Sequence, residues 1–76
     1  MRRDETVSVY LEIADAYTEN EKYDKAEKFY KLAMKDKKAY WNAYYHLGRS
    51  YALAKKWAQA EEIYTKVLQR DPDNMS

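Results

Sequence analysis

His46 is the single imidazole of the chain, so a general acid–base step would have to be built on it. No Ser, Cys or carboxylate stands at a motif spacing from it, and on a helix it reads as a groove-edge or packing residue. Gly48 is the one glycine, which rules out a glycine-rich phosphate loop. With no cysteine, neither a disulfide nor a thiolate metal site can form, and the carboxylates a zinc ion would then need do not cluster. Lys22, Lys25, Lys28, Lys31 and Lys35 resemble an anion-binding stripe. Steps of three drift around a helix, however, and Glu21, Asp24 and Glu27 interleave, so a solvated face is expected. Glu27 and Lys31 stand four apart, the spacing of a weak helix-supporting pair. The net charge of +1 argues against duplex nucleic acid. No enzymatic activity, cofactor or metal is expected.

What remains for chemistry is aromatic. Nine Tyr, two Trp and one Phe stand beside one Gly and one Pro, so few breakers interrupt a chain rich in helix formers. The rings must be explained by packing or by binding, and their spacing decides most of them. Shifting the chain by 34 residues lays Tyr10 on Tyr44, Tyr17 on Tyr51, Lys22 on Lys56, Ala26 on Ala60, Glu27 on Glu61 and Tyr30 on Tyr64. Ile13 meets Leu47, Ala14 meets Gly48, Tyr23 meets Trp57, Phe29 meets Ile63 and Met34 meets Leu68. A period of this size marks one supersecondary unit copied along the chain. Eight rings fall in four period-related pairs (10/44, 17/51, 23/57, 30/64) and are expected in the core. Tyr40, Trp41 and Tyr45 do not repeat; they either grip a partner or pack between the two units.

Apolar residues recur at three and four in four stretches, which predicts four amphipathic helices and an all-α chain. Asp4 or Thr6 is placed to cap the first helix, and Asp71-Pro72 to stop the fourth. The joints are Glu19-Asn20-Glu21-Lys22, Lys35-Asp36-Lys37-Lys38 and Lys55-Lys56, short enough to fold successive helices antiparallel. The expected architecture is two stacked helix-turn-helix hairpins in one domain over 1–76, with units 7–40 and 41–74. Ala14, Gly48, Ala26 and Ala60 are small where helix axes must approach. No proline or glycine lies between Lys35 and Tyr40, so fusion of the second and third helices, with a domain-swapped dimer, stays open beside a turn. No apolar run nears the roughly 20 residues that span a membrane. No apolar stretch follows the charged start as a signal peptide requires, so a cytoplasmic setting is expected.

The second unit carries Tyr44, Leu47-Gly48, Tyr51, Trp57, Ala60, Tyr64, Val67-Leu68 and Asp71-Pro72 at fixed offsets. It resembles a tetratricopeptide repeat, and the first unit matches more loosely through Tyr10, Ile13-Ala14, Tyr17, Tyr23, Ala26, Tyr30 and Ala33. The family's turn glycine is replaced by Glu21 and Lys55, and the first unit's closing proline is missing at Lys37-Lys38. The resemblance implies an α-solenoid fragment acting as a protein–protein interaction scaffold. A peptide or partner helix would lie on the concave face built from the first helix of each unit. Carried onto matching positions, that face takes Leu11 and Asp15, with Ser8 and Thr18, from the first helix. Asn42, Tyr45 and Arg49, with Ala52, come from the third, and Tyr40 stands at the edge. Arg49 is one period from Asp15 and is placed to pair with it. Family members that hold a C-terminal carboxylate use Lys and Asn where this chain has Leu11, Asp15, Tyr45 and Arg49, so binding of that kind is not implied.

The family usually has more repeats and a capping helix, while residues 73–76 are too few to form one. The alternative reading is therefore a self-assembling repeat fragment or engineered repeat pair, oligomeric or domain-swapped, with no ligand of its own. A homo-oligomer would form through the uncapped last helix. Residues 1–20 carry net −3, residues 21–56 net +6 and residues 57–76 net −2, a distribution that can orient head-to-tail contacts.

Overall fold

Helical periodicity is realised four times over: α1 (Arg3–Glu19), α2 (Tyr23–Met34), α3 (Tyr40–Leu53) and α4 (Trp57–Arg70). The computed structural model describes residues 3–70. Asp71-Pro72, expected to end the last helix, and residues 73–76 lie outside the described residues. Each helix packs on the next, and α1 also touches α3, the signature of two helical hairpins stacked side by side. Because α1 already includes Arg3, Asp4 and Thr6 sit inside the helix, not at its N-cap.

Both hairpin turns close in the same way. Lys22 N–H donates to the Tyr17 carbonyl at 2.8 Å and Glu21 N–H to Thr18 at 3.0 Å; Lys56 repeats this on Tyr51 at 2.9 Å and Lys55 on Ala52 at 3.0 Å. These paired bonds form the Schellman motif, whose C′ residue must turn left-handed. Glu21 and Lys55 occupy that position with φ of 63° and 66°. A non-glycine residue there costs roughly 1–2 kcal/mol.

The joint between hairpins is a turn across residues 35–39, so α2 and α3 are separate helices. The breaker is Asp36. Its Oδ1 accepts the Lys38 N–H at 2.9 Å, an Asx turn that gives the backbone an alternative to continuing the helix. The hairpin stack therefore forms within a single chain.

The core runs through Ala14, Ala26, Tyr30, Leu47, Ile63 and Val67, with Tyr17, Phe29, Trp41, Tyr44 and Tyr51 packed against it. Tyr30 is the largest side chain fully removed from solvent. The small residues set the helix spacing: Ala14 and Ala26 are wholly buried, and a Cβ on Gly48 would lie 2.8 Å from Ile63 Cγ2. The four ring pairs do not share one environment. Trp57 is 63% exposed, whereas its counterpart Tyr23 is half-buried and donates to the Leu53 carbonyl at 3.3 Å. Tyr23 has the second unit to lie on, and among the described residues nothing plays that part for Trp57.

Candidate functional site

The face shared by α1 and α3 is organised around Asp15. Tyr30 reaches it from α2 and donates its hydroxyl to Asp15 Oδ1 at 2.5 Å. His46 reaches it from α3, with Nδ1 3.4 Å from the same oxygen. That nitrogen is sealed from solvent, and its ring stacks on Tyr30 with centroids 6.2 Å apart. His46 is thus the polar neighbour that α3 brings to Asp15, in place of Arg49. Burial raises the Tyr30 hydroxyl well above its ordinary range, and the Asp15 carboxylate adds to the shift. The phenol therefore stays protonated and keeps donating.

Behind Asp15 the polar cluster continues inward. Thr18 Oγ1 lies 3.0 Å from the Ala14 carbonyl, 3.1 Å from Tyr30 Oη and 3.1 Å from Ser50 Oγ. A hydroxyl has one proton and two lone pairs, so Thr18 can satisfy one acceptor while taking a bond from a neighbouring hydroxyl. Thr18 is 2% exposed and Ser50 3% exposed. Thr18, expected on the ligand-facing side, instead ties the two hairpins together. Ser50 is equally out of reach of a substrate, so its hydroxyl is no accessible nucleophile. Sequence reasoning passed over this cluster. Its trace is that the period counterparts of Thr18 and Ser50 are Ala52 and Ala16, small apolar residues where a hydroxyl meant for solvent would not be needed.

The six candidate groove residues fall into three settings. Leu11 is half-buried and packs against the core. Tyr40 is held in a ring cluster at the start of α3, 5.1 Å from Trp41 and 5.6 Å from Tyr44 between centroids. Trp41 in turn lies under the Arg70 guanidinium at 5.6 Å, a cation–π contact joining α3 to α4. Asn42 and Arg49 are exposed, and Tyr45 is 39% exposed. The Tyr45 ring rests 5.5 Å from Tyr64 and 6.2 Å from His46. The Arg49 charge acts on both Tyr30 and Tyr64, favouring their ionised forms against the stronger opposing effect of burial. Asp15, His46, Tyr45 and Arg49 are thereby gathered around the Tyr30 and Tyr64 rings.

Elsewhere, a shallow cleft of about 350 Å³ opens at the hairpin-turn end, lined by Glu21, Lys22, Asp24, Lys25 and Lys56 among others. None of the six groove residues borders it. Lys31 Nζ stands 3.1 Å from Glu27 along α2, as the spacing predicts. Among the described residues no three His, Cys, Asp or Glu side chains gather to hold a metal ion. No helix among them is long and apolar enough to cross a membrane.

A family model described as the tetratricopeptide repeat matches residues 17–76. No curated protein and no solved structure matches the chain.

Proposed function

The chain belongs to the tetratricopeptide repeat family, and on that premise we propose that it is a protein-interaction scaffold whose α1–α3 face binds an extended peptide or a partner helix. The observation that carries the reading is Tyr45, a large amphipathic ring 39% exposed yet held between Tyr64 and His46. A ring already immobilised loses little conformational entropy on binding, which is what makes aromatic anchors effective. Arg49 and Asn42 lie exposed on the same helix and supply directional donors, the guanidinium matching planar acceptors such as carboxylates and backbone carbonyls. Asp15 adds an acceptor from the neighbouring helix. In this reading the work of the site is recognition, and no reaction is assigned to it.

The test uses linear peptides selected on the intact chain from a display library. Tyr45→Ala together with Arg49→Ala is expected to weaken the selected peptides by roughly tenfold or more, the scale of an interface anchor. Helical circular dichroism should stay unchanged, since both side chains are exposed. Unchanged affinity in the double variant removes the groove assignment.

A second reading, association between copies through the uncovered α3–α4 side, is favoured by the exposure of Trp57 and of Leu68, which is 46% exposed.

A further inference from the structure

We propose that copies of this chain stack head to tail, α1 of one copy lying on α3 and α4 of another as α3 lies on α1 and α2 within the chain. The proposal rests on the self-association reading and gives it a register, a partner surface and specific contacts.

Among the described residues, four polar contacts seat α3 on the first hairpin. Tyr51 donates to Glu27 at 2.6 Å, Tyr23 donates to the Leu53 carbonyl at 3.3 Å, Thr18 bonds Ser50 at 3.1 Å, and His46 faces Asp15 at 3.4 Å. Moving the receiving residue forward by one period, and the docking residue back by one, gives the contacts of the stacked pair. Tyr17 meets Glu61, repeating the phenol–carboxylate bond with the same two residue types. Trp57 meets the Glu19 carbonyl, where an indole N–H can replace the tyrosine hydroxyl as donor. Ala52 meets Ala16, so the position where two buried hydroxyls bond becomes a pair of small apolar side chains. Arg49 meets Glu12, and an acid–histidine contact becomes an arginine–carboxylate one with the acid now on the docking helix. All four contacts stay complementary although three of them change chemistry.

Among the described residues, both halves of this contact are left exposed. On the docking side, Val9 is 46% exposed where its counterpart Ala43 is fully buried. Glu12 and Ala16 are exposed where His46 is half-buried and Ser50 buried. On the receiving side, Trp57 is 63% and Leu68 46% exposed, where Tyr23 and Met34 are half-buried. The charge distribution agrees in sign, net −4 over the docking helix α1 (Arg3–Glu19) against net +3 over residues 40–70, which hold the receiving helices α3 and α4. The contact is heterologous, each copy using two different surfaces, so it leaves one of each open and adds copies without closing at two. It also lengthens the α1–α3 face by two helices per copy.

Light scattering on the intact chain across a concentration series tests the proposal. Mean mass is expected to climb past twice the 9.2 kDa of one chain. Arg49→Glu alone and Glu12→Arg alone should each weaken association by roughly tenfold or more, because like charges then face each other. Combining R49E and E12R in one chain should restore association, since every junction regains an opposite pair. Both residues are exposed, and the combined variant also serves as the folding control. A monomer at every concentration overturns self-association itself. Association that ignores both single changes, fails to recover in the combined variant, or stops at two copies overturns this register.

Discussion

Tyr51 on α3 donates its hydroxyl to the Glu27 carboxylate on α2 at 2.6 Å, tying the second hairpin to the first. The bond holds the Glu27 carboxyl below its ordinary value, with help from Lys31. Burial, reinforced by the same carboxylate, pushes the Tyr51 hydroxyl up to about 12 from the usual 10.0. Tyr51→Phe removes the donor from a Glu27 that stays partly solvated and keeps Lys31, so a loss of about 1 kcal/mol at neutral pH is expected from urea melts.

The same bond fixes an alkaline prediction. A tyrosine whose pKa is higher folded than unfolded contributes stability that is complete below pH 10 and is lost as pH rises through about 12. Tyr30 and Tyr64, raised in the same direction, add to that slope. Stability should therefore fall steeply between pH 10 and 12, and less steeply in Tyr51→Phe. Lysine titration is common to both chains, so the difference between their pH profiles isolates Tyr51. Identical profiles would remove the role given to the bond.

Glu21 and Lys55 stand in left-handed turns where the family usually has glycine. Lys55→Gly relieves roughly 1–2 kcal/mol of backbone strain against roughly 0.5–1 kcal/mol of added chain entropy. A net gain of about 0.5–1 kcal/mol is expected, read as a higher melting temperature. Lys56 still lies over the Tyr51 ring at 5.8 Å, so the turn keeps its packing.

Gly48 is needed for a different reason, since its φ is ordinary and its neighbour is close. An alanine Cβ would press on Ile63, whose branch point at 3.3 Å cannot swing away. Gly48→Ala should lose about 1–3 kcal/mol to overpacking, less about 1 kcal/mol gained in helix propensity. The first hairpin carries Ala14 with Phe29 at the matching positions. Adding Ile63→Phe should therefore recover part of the loss in thermal melts, and no recovery would place the clash elsewhere.

Four helices, their antiparallel hairpins and the small residues between them were legible because each follows from local spacing. The misread residues depend on which face of one unit meets the next, and a period does not record that. It equates Trp57 with Tyr23, but Tyr23 gains its cover from the following unit and Trp57 has none among the described residues. It sets Arg49 level with Asp15, yet the side chain that α3 turns toward Asp15 is His46. Thr18 reads as a solvent-facing hydroxyl until Tyr30 and Ser50 arrive from other helices to bury it. Asp36 ends α2 through a side-chain bond that neither proline nor glycine announces. Of the groove candidates, the positions of Asn42, Tyr45 and Arg49 along α3 were readable. The support that Tyr64 and His46 give Tyr45 comes from tertiary packing.

The α1–α3 face as the binding surface is tested most directly by backbone amide NMR during titration of the intact chain with a library-selected peptide. The account predicts shift changes concentrated at Leu11, Asp15, Asn42, Tyr45 and Arg49, with α2 and the outer side of α4 quiet. Changes confined to α2 and α4, with Tyr45 and Arg49 unmoved at saturation, would contradict it.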